Sequence, residues 1–399
     1  MLQTCRPCGA CDGASALPVL QVPRMLRPGG DWDRRIPMTK KKMHEVKIRR
    51  LRIADYKGID ELELSFPRPG MSGDPDVVVM GSRNGLGKTS VLECCALLLI
   101  GLTGRKHIFE LGRSGYPPVD MPEMIIRAGA SVAEIEGELV VGDMTIVLNI
   151  AIDKSGRVKI GNRPEQMPEV QQLPGRDDTD VVEHFVSTVG GINPNPLLSE
   201  YFLYFHSYRK VQEGNPELGM MVGRKNIRHR VRYHPGYDLP MSTFKLRILH
   251  SLMSQANLFE EWGDDQSEDV LAKLNKFVER YAGGTIQKLR PSADNTVDFR
   301  IHPADGGPSF TFDGLSSGQK EIIATLFLIW HQTRDRHCVV LIDEPELHLN
   351  PEWHRDFVRQ ISKTAPENQY IIATHSEDVF DSVDEAQRFL LMNPTGGRS

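Results

Sequence analysis

The stretch "MGSRNGLGKTSVLE", residues 80–93, decides the fold of this 399-residue chain. A β-prone apolar run, residues 77–80, leads into it and predicts a buried strand. The apolar run 89–102 is too long for a strand and predicts a buried helix that begins near Lys88. Glycines between such a strand and helix let backbone N–H groups turn toward an anion. The stretch therefore predicts a strand, a phosphate-binding loop and a helix.

The loop follows the pattern G-x-x-x-x-G-K-[ST] with one departure, because Ser82 stands at the first glycine position. In this pattern the lysine reaches the β and γ phosphates of a nucleotide, and the threonine hydroxyl holds Mg²⁺. The alternative interpretation is a glycine-rich turn with an unrelated lysine. The residues predicted to bind the nucleotide are Ser82, Asn84, Gly85, Gly87, Lys88, Thr89 and Ser90.

Composition narrows the class of protein. The chain is 40% hydrophobic and 25% charged with a net charge of −5, which is ordinary for a globular protein and unlike one that coats a polyanion. Its length predicts two or three structural units. The longest apolar run, residues 91–102, is too short to cross a bilayer. We therefore expect a cytoplasmic protein with no membrane segment.

The six cysteines fall into two groups. Three lie in or beside apolar runs and are expected to be reduced core residues: Cys94, Cys95 and Cys338. The other three form "CRPCGAC", residues 5–11, a spacing that suits a metal or an iron–sulfur cluster, although no fourth ligand follows at a matching distance. The favoured alternative is a disordered leader over residues 1–42, with Met38 or Met43 as the working start.

The stretch "CVVLIDEPELHLNP" places an acidic pair at the end of an apolar strand. A continuous apolar strand is typical of the covered centre of a parallel sheet, and ligands bind at the carboxyl ends of such strands. Asp343 therefore suits Mg²⁺ coordination, directly or through water, and Glu344 suits activation of a water molecule. The alternative is an acidic loop that happens to follow a strand.

Two further stretches carry candidate site residues. "DGLSSGQKEIIATLFLIW" offers the Ser316 hydroxyl and the free N–H groups around Gly318 at the start of a helix, where an anion can bind. The alternative is an ordinary capped helix. "QYIIATHSEDVF" ends an apolar strand with His375 nearby, which suits a hydrogen bond to a γ-phosphate. The alternative is a structural histidine.

In order and spacing these motifs resemble ABC-type ATPases, in particular the branch that contains SMC, RecF and OLD proteins. The resembling stretches are "GSRNGLGKTS", "LSSGQK", "VVLIDEPELHL" and "IIATHS", within about residues 46–392. "DEPELHLNP" and "YFHSYR" are most similar to stand-alone ATPases of bacterial antiviral systems. Ser82 and Ser317 replace glycines of the family's motifs, but both are small, so the sites are expected to persist. Gln212 is a candidate for the family's Q-loop residue.

The resemblance implies an α/β fold, that of a P-loop NTPase of ABC-ATPase type. Such a fold has a mixed or parallel central sheet, an N-terminal antiparallel β subdomain and a helical lobe. The expected units are a disordered leader (1–42), the N-terminal part of the ATPase head (43–160), an inserted variable and helical lobe (161–300) and the C-terminal part of the head (301–399).

The resemblance also implies how the site residues act. In this family two heads hold ATP between them, which implies a homodimer or a higher oligomer. Ser316 and Gly318 of one head would contact the γ-phosphate of the ATP bound to the other head. Glu344 becomes the expected general base and His375 the expected switch, with ATP and Mg²⁺ as cofactors, and with Thr89 and Asp343 at the metal.

Two functions remain open at this point. One is an ATP-driven sensor or regulator of a separate effector such as a nuclease, because only some 20 residues follow the strand that ends near His375. The alternative is a RecF-like DNA-repair ATPase that binds DNA itself through the basic stretch "GRKNIRHRVRYH", residues 223–234. A transporter ATPase is disfavoured, because the opening strand hairpin and the "DEPELHL" continuation look unlike that class.

Overall fold

Two six-stranded sheets form the framework of the protein in this computed structural model. The structure describes residues 45–71, 74–81, 87–103, 108–111, 121–162, 178–191, 193–199, 201–216, 243–255, 270–287, 289–291, 296–334 and 336–391. The predicted leader, residues 1–42, lies outside these ranges. So do three of the predicted nucleotide-binding residues, Ser82, Asn84 and Gly85, and the basic stretch 223–234.

The elements follow each other along the chain as a mixture of strands and helices. The strands are β1 (Val46–Tyr56), β2 (Ile59–Ser65), β3 (Asp76–Gly81), β4 (Ile108–Glu110), β5 (Val132–Val141), β6 (Met144–Asp153), β7 (Arg157–Gly161), β8 (Leu197–Leu198), β9 (Phe202–Phe205), β10 (Gly284–Ile286), β11 (Arg290–Pro291), β12 (Val297–Asp298), β13 (Arg300–Pro303), β14 (Phe310–Thr311), β15 (Val339–Asp343), β16 (Gln369–Thr374) and β17 (Arg388–Leu390). The α-helices are α1 (Lys88–Thr103), α2 (Met121–Ile125), α3 (Asp178–Val189), α4 (Thr243–Gln255), α5 (Val270–Ala282), α6 (Ser317–Thr333), α7 (Pro351–Thr364) and α8 (Glu377–Phe380).

The first sheet is antiparallel and has the strand order β2-β1-β5-β6-β7-β4. Its two main hairpins follow from local sequence. The turn "DYKGID" joins β1 to β2, and Gly142 with Asp143 joins β5 to β6. Gly142 has φ +57, the left-handed conformation that two-residue hairpin turns need. This sheet is the predicted N-terminal antiparallel β subdomain, so that part of the predicted fold is confirmed.

The second sheet is the central one, with the order β17-β3-β16-β15-β9-β8. Its pairs are parallel except for β8 with β9. Every residue of β15 is buried, and this strand lies between β16 and β9, as expected for a continuous apolar strand. The sheet is therefore mixed but mainly parallel, which confirms the predicted α/β fold of a P-loop NTPase of ABC-ATPase type.

Helix α1 joins the two sheets. It is apolar nearly all round, and it contacts β15 and β16 of the central sheet as well as β5 and β6 of the antiparallel sheet. The contact with β5 is close, because a Cβ on Gly137 would lie 2.3 Å from Leu98 Cδ1. Cys94 and Cys95 are fully buried in this helix and Cys338 is buried before β15, so the prediction of reduced core cysteines is confirmed.

Helices α4 to α8 pack on the other face of the central sheet, whereas the buried side chains of α2 and α3 share a core with α1 and the antiparallel sheet. Helices α5 and α6 contact each other, α6 contacts α7, and their apolar side chains share one core with β15 and β16. Within the described ranges, no helix is both long enough and apolar enough to cross a bilayer. The domain boundaries at 160 and 300 stay predictions. Strand β9 falls inside the predicted lobe, yet it pairs with β15 in the central sheet.

The topology brings the sequence motifs to one edge. Strands β3, β15 and β16 run parallel, so their carboxyl ends meet at the same side of the sheet. The chain leaves β3 for the loop that precedes Lys88, leaves β15 at Asp343, and leaves β16 at Thr374. The predicted site residues on these three segments are therefore neighbours in space.

Candidate functional site

Helix α1 begins at Lys88, as the sequence predicts, and Gly87 makes that start possible. Gly87 has φ +88, and a Cβ at this position would lie 2.8 Å from Ile59 Cγ1 on β2. A glycine is thus required both by the backbone conformation and by the close approach of the first hairpin. Ser90, two residues into the helix, is buried. The first turn of α1 therefore presents its N-terminal end and the Lys88 side chain toward the carboxyl edge of the central sheet.

Lys88 is the cation of the site. Its side chain is buried, and its Nζ lies 3.3 Å from Nδ1 of His375. Burial lowers the pKa of Lys88, while the nearby carboxylates of Glu344, Asp343 and Glu346 act in the opposite direction. A buried ammonium group at a helix N-terminus, surrounded by acceptors, is suited to an anion with several oxygen atoms.

Asp343 is the last residue of β15 and lies beside the first turn of α1. It is 1% exposed, and its Oδ2 accepts a hydrogen bond of 2.9 Å from the Thr89 hydroxyl. Its other oxygen, Oδ1, is buried without a hydrogen-bond partner. Burial raises the pKa of Asp343 to about 7, although the hydrogen bond from Thr89 opposes the rise. A buried carboxylate with an unsatisfied oxygen beside a hydroxyl fits a hard divalent cation, so Thr89 and Asp343 are the residues that would hold Mg²⁺.

Glu344 lies at a strained turn directly after β15. Its φ is +45, an unusual value for a residue other than glycine, and its N–H donates a 2.8 Å hydrogen bond to the carbonyl oxygen of Ala373. The side chain is partly exposed, and its Oε1 lies 3.4 Å from Nε2 of His375. Because Nδ1 of the same ring contacts Lys88, His375 lies between the predicted base and the predicted phosphate-binding lysine.

Glu346 is a site residue that the sequence interpretation missed. Its Oε2 accepts a 2.7 Å hydrogen bond from the Thr374 hydroxyl, and its Oε1 accepts a 2.6 Å hydrogen bond from the N–H of His375. This carboxylate therefore joins the turn after β15 to the end of β16 and fixes the backbone of His375. The available signal was the second glutamate of "DEPELHL", two residues after Glu344.

A second missed contact secures the phosphate-loop helix. Glu93 is the only acidic residue in the apolar helix α1, and it is 3% exposed. Its Oε1 accepts a 2.6 Å hydrogen bond from Lys57 Nζ, and its Oε2 accepts one of 3.1 Å from the Tyr56 hydroxyl. Burial raises the pKa of Glu93, and both partners act against that rise. The turn of the first hairpin is thus attached to α1 one turn after Lys88.

Ser316 and Gly318 line a different groove. Ser316 is the N-cap of α6, where its hydroxyl accepts from the Gln319 N–H and the Gln319 side chain accepts from the Ser316 N–H. A Cβ on Gly318 would lie 2.3 Å from the carbonyl oxygen of His348, so the loop after β15 requires glycine there. The groove has a volume of about 480 Å³ and is lined by Ser316, Ser317, Gly318, Gln319, His348, Leu349, Asn350 and Trp353.

The structure therefore divides the predicted residues into two sets. Lys88, Thr89, Asp343, Glu344 and His375 form one connected cluster. Ser316 and Gly318 belong to the open groove at the start of α6. The candidate Q-loop residue, Gln212, lines a small cavity next to Arg209 and Glu321.

The raised pKa of Asp343 predicts a pH effect on stability in the metal-free protein. A carboxyl group whose pKa is higher in the folded than in the unfolded protein stabilises the fold fully at a pH below the unfolded pKa. For Asp343 this contribution is lost as the pH rises toward 7. The loss is on the order of 1 kcal/mol per pH unit between about pH 4 and 7. Compared with the wild type in EDTA, Asp343→Asn should therefore become relatively more stable as the pH is raised from 5 to 7.

Urea denaturation of both proteins at several pH values measures this difference. Saturating Mg²⁺ at pH 7.5 should restore stability to the wild type but much less to Asp343→Asn, since the metal binds the ionised carboxylate. Equal pH slopes for the two proteins in EDTA would show that Asp343 is not the titrating group.

Three sets of known proteins resemble this chain. Residues 172–381 match the family described as "AAA domain, putative AbiEii toxin, Type IV TA system". Over 170 residues the chain is 32% identical to the retron Vc95 probable ATPase of Vibrio cholerae serotype O1 biovar El Tor, a match that covers 37% of this chain and 32% of that protein. Over 89 residues it is 34% identical to the retron Ec83 probable ATPase of Escherichia coli, covering 20% and 16%. The chain thus spans about a third or less of the length of these relatives.

Among solved structures, an SMC head bound to the C-terminal winged-helix domain of ScpA aligns with 84% of this chain and 92% of that chain, at a TM-score of 0.47 and 15% identity. The SMC head domain from Thermotoga maritima aligns with 85% and 92%, at a TM-score of 0.39 and 13% identity.

Proposed function

The chain belongs to the family described as "AAA domain, putative AbiEii toxin, Type IV TA system", and on that premise we propose that it binds ATP and hydrolyses it to ADP and phosphate. The resemblance to the SMC, RecF and OLD branch is confirmed by this membership. The observation that carries the proposal is the connected cluster of Lys88, Thr89, Asp343, Glu344 and His375 at the carboxyl edge of one parallel sheet.

Each residue of the cluster has a role that its position supports. Lys88 binds the β and γ phosphates at the N-terminus of α1, where the backbone N–H groups add to the positive potential. Thr89 and Asp343 hold Mg²⁺, which neutralises charge on the phosphate oxygens when it is bound. Glu344 accepts the proton of the attacking water, since its carboxylate is partly exposed and close to the cluster. His375, held by Glu346, contacts the γ-phosphate.

We further propose that ATP brings two copies of the chain together as a homodimer, alone or within a higher oligomer. The support is the separation of the two sets of site residues. The groove at Ser316 and Gly318 has free space of about 480 Å³ and lies at a helix N-terminus, which favours a phosphate group. In such a dimer the Ser316 groove of one head completes the Lys88 cluster of the other.

At the level of the pathway, the proposal is an ATP-dependent sensor or regulator of a separate effector, such as a nuclease, in antiviral defence. The support is the similarity to two proteins named as probable ATPases of retrons and the description of the family as a toxin component. The alternative, a RecF-like repair ATPase that binds DNA directly, depends on the basic stretch 223–234, which lies outside the described residues.

The test of nucleotide binding is Lys88→Ala in isothermal titration with Mg-ATP. A hydrogen bond to a charged group contributes about 1.5–3 kcal/mol, so the affinity should fall at least ~10-fold. Lys363→Ala removes an exposed lysine from α7 and serves as the matched control, with unchanged affinity expected. Binding by Lys88→Ala at the wild-type affinity would remove this loop from the nucleotide site.

A further inference from the structure

The segment that follows β9 contacts the acidic strand end. Arg209 is 3% exposed, although it carries a full charge. Its Nη1 donates hydrogen bonds to the carbonyl oxygens of Asp343, at 2.7 Å, and His206, at 2.9 Å. Its Nε donates a 2.5 Å hydrogen bond to Glu321 Oε1 on α6. One guanidinium group thus joins the backbone of the predicted metal ligand to the helix that carries Ser316 at its N-cap.

The same segment remains attached to α6 beyond Arg209. Lys320 Nζ donates to Glu213 Oε1 at 2.8 Å and to the carbonyl oxygen of Asp313 at 3.2 Å. The N–H of Gly214 donates to Asp313 Oδ2 at 3.0 Å. Lys245 of α4, which is fully buried, donates to Asp313 Oδ1 at 2.7 Å. Asp313 lies three residues before Ser316, so these contacts reach the edge of the open groove.

The planar guanidinium makes Arg209 a rigid connection. Its nitrogen atoms are fixed in one fork, so a shift of the Asp343 carbonyl is transferred to Glu321 without an intervening rotatable bond. Buried charged groups are screened little by salt and attract each other strongly. An α-helix moves as a unit, so a displacement at Glu321 also displaces Ser316, about one turn away.

We propose that Arg209 is a positioning residue that couples nucleotide binding at Asp343 to the orientation of α6 and thereby to the capture of a second copy at the Ser316 groove. This inference rests on the proposed function, since it concerns the assembly of two ATP-bound heads. Arg209 does not touch the nucleotide in this account. It sets how much ATP is needed before the two heads associate.

A purely structural ion pair would behave differently. Removing one partner leaves a buried charge, which destabilises the fold strongly. Replacing both partners with apolar side chains of similar length is often neutral or stabilising. The double variant Arg209→Met with Glu321→Met therefore removes the connection to Asp343 without leaving a buried charge. A structural role predicts that this double variant regains the assembly of the parent, whereas a coupling role predicts that it does not.

The experiment uses the full chain carrying Glu344→Gln, in which bound ATP persists. Size-exclusion chromatography with light scattering measures the ATP concentration at which half of the protein is dimeric, and titration calorimetry measures ATP binding to single heads. In the double variant we expect single-head affinity to be unchanged and the ATP requirement for dimerisation to rise roughly 5- to 150-fold, the usual range of coupling between sites. As a control, a different interhelical ion pair that is partly exposed, Arg280 with Asp356, is replaced by two methionines, and the ATP requirement should stay that of the parent.

A second, milder variant tests the same role in case the double variant does not fold. Arg209→Lys keeps a charge beside Glu321, but a single ammonium group cannot reproduce the fork that reaches Asp343 as well, so it should shift the ATP requirement in the same direction. Dimerisation of either variant at the parent's ATP concentration overturns the role of Arg209 and leaves the proposed function intact. Failure of the Glu344→Gln parent itself to dimerise with ATP refutes the two-headed arrangement, and the role of Arg209 with it.

Discussion

Glu344→Gln should slow ATP hydrolysis at least ~100-fold while ATP binding remains intact. The amide keeps the shape of the side chain at the strained turn after β15, but it has no basicity and cannot accept the proton of the attacking water. Lys88, Thr89 and Asp343 are unaffected, so the contacts proposed for phosphate and metal persist. Release of inorganic phosphate measures turnover, and isothermal titration measures binding of the nucleotide.

The matched control is Glu352→Gln, which makes the same chemical change at an exposed glutamate in the first turn of α7. It should hydrolyse ATP at the wild-type rate. Normal turnover by Glu344→Gln would place the general base elsewhere. A loss of both turnover and binding would instead show that Glu344 shapes the site through the turn in which it lies, with its φ of +45 and its backbone hydrogen bond to Ala373.

The cluster could be predicted from the sequence because each of its residues lies in a short, recognisable sequence pattern. Lys88 and Thr89 begin a helix after a glycine loop. Asp343 ends an apolar strand and Glu344 follows it directly, while His375 directly follows another such strand. Parallel strands bring their carboxyl ends to one edge whatever the rest of the chain does. The local pattern therefore carries enough information to place these five residues together.

The residues that hold the cluster in place were not predictable in the same way. Arg209 donates to a carbonyl oxygen 134 positions away in the chain, and no spacing rule joins a residue after β9 to the end of β15. Glu93 did give a signal, since one carboxylate in an otherwise apolar helix requires a buried partner. The sequence does not tell which cation is that partner, because Lys57 lies in the turn between β1 and β2 and reaches Glu93 only through the packing of the antiparallel sheet on α1.

The start of α6 has the features that both interpretations of the motif require, a helix cap and an open groove. "LSSGQ" was open to a structural explanation, an ordinary capped helix, and the capping box of Ser316 and Gln319 is indeed present. The cap explains Ser316 and Gln319 but not the glycine between them. Gly318 is required by the carbonyl oxygen of His348, and the groove beside it remains open. The close approach at Gly318 and the free volume of the groove bear on the second interpretation, and a sequence pattern contains neither of these observations.

Adding Ser316→Arg to Glu344→Gln should abolish the ATP-dependent dimer while each head still binds ATP. Ser316 lines the groove proposed to receive the nucleotide of the second head, and an arginine side chain would fill that space. The Lys88 cluster is built from other segments, so binding to the same head is retained. Loss of the N-cap hydroxyl costs about 1 kcal/mol of stability, too little to unfold the domain.

Light scattering after size-exclusion chromatography, with and without ATP, measures the assembly, and calorimetry measures binding by the single heads. Ala386→Arg adds the same side chain at an exposed position away from the groove and should leave the dimer unchanged. Ser316→Ala removes the cap without adding bulk, so a loss of dimer in the arginine variant that exceeds the loss in the alanine variant is due to the filled groove. A dimer that persists in Ser316→Arg would contradict the arrangement in which two heads share the nucleotide, although the fold and the Lys88 cluster would stand.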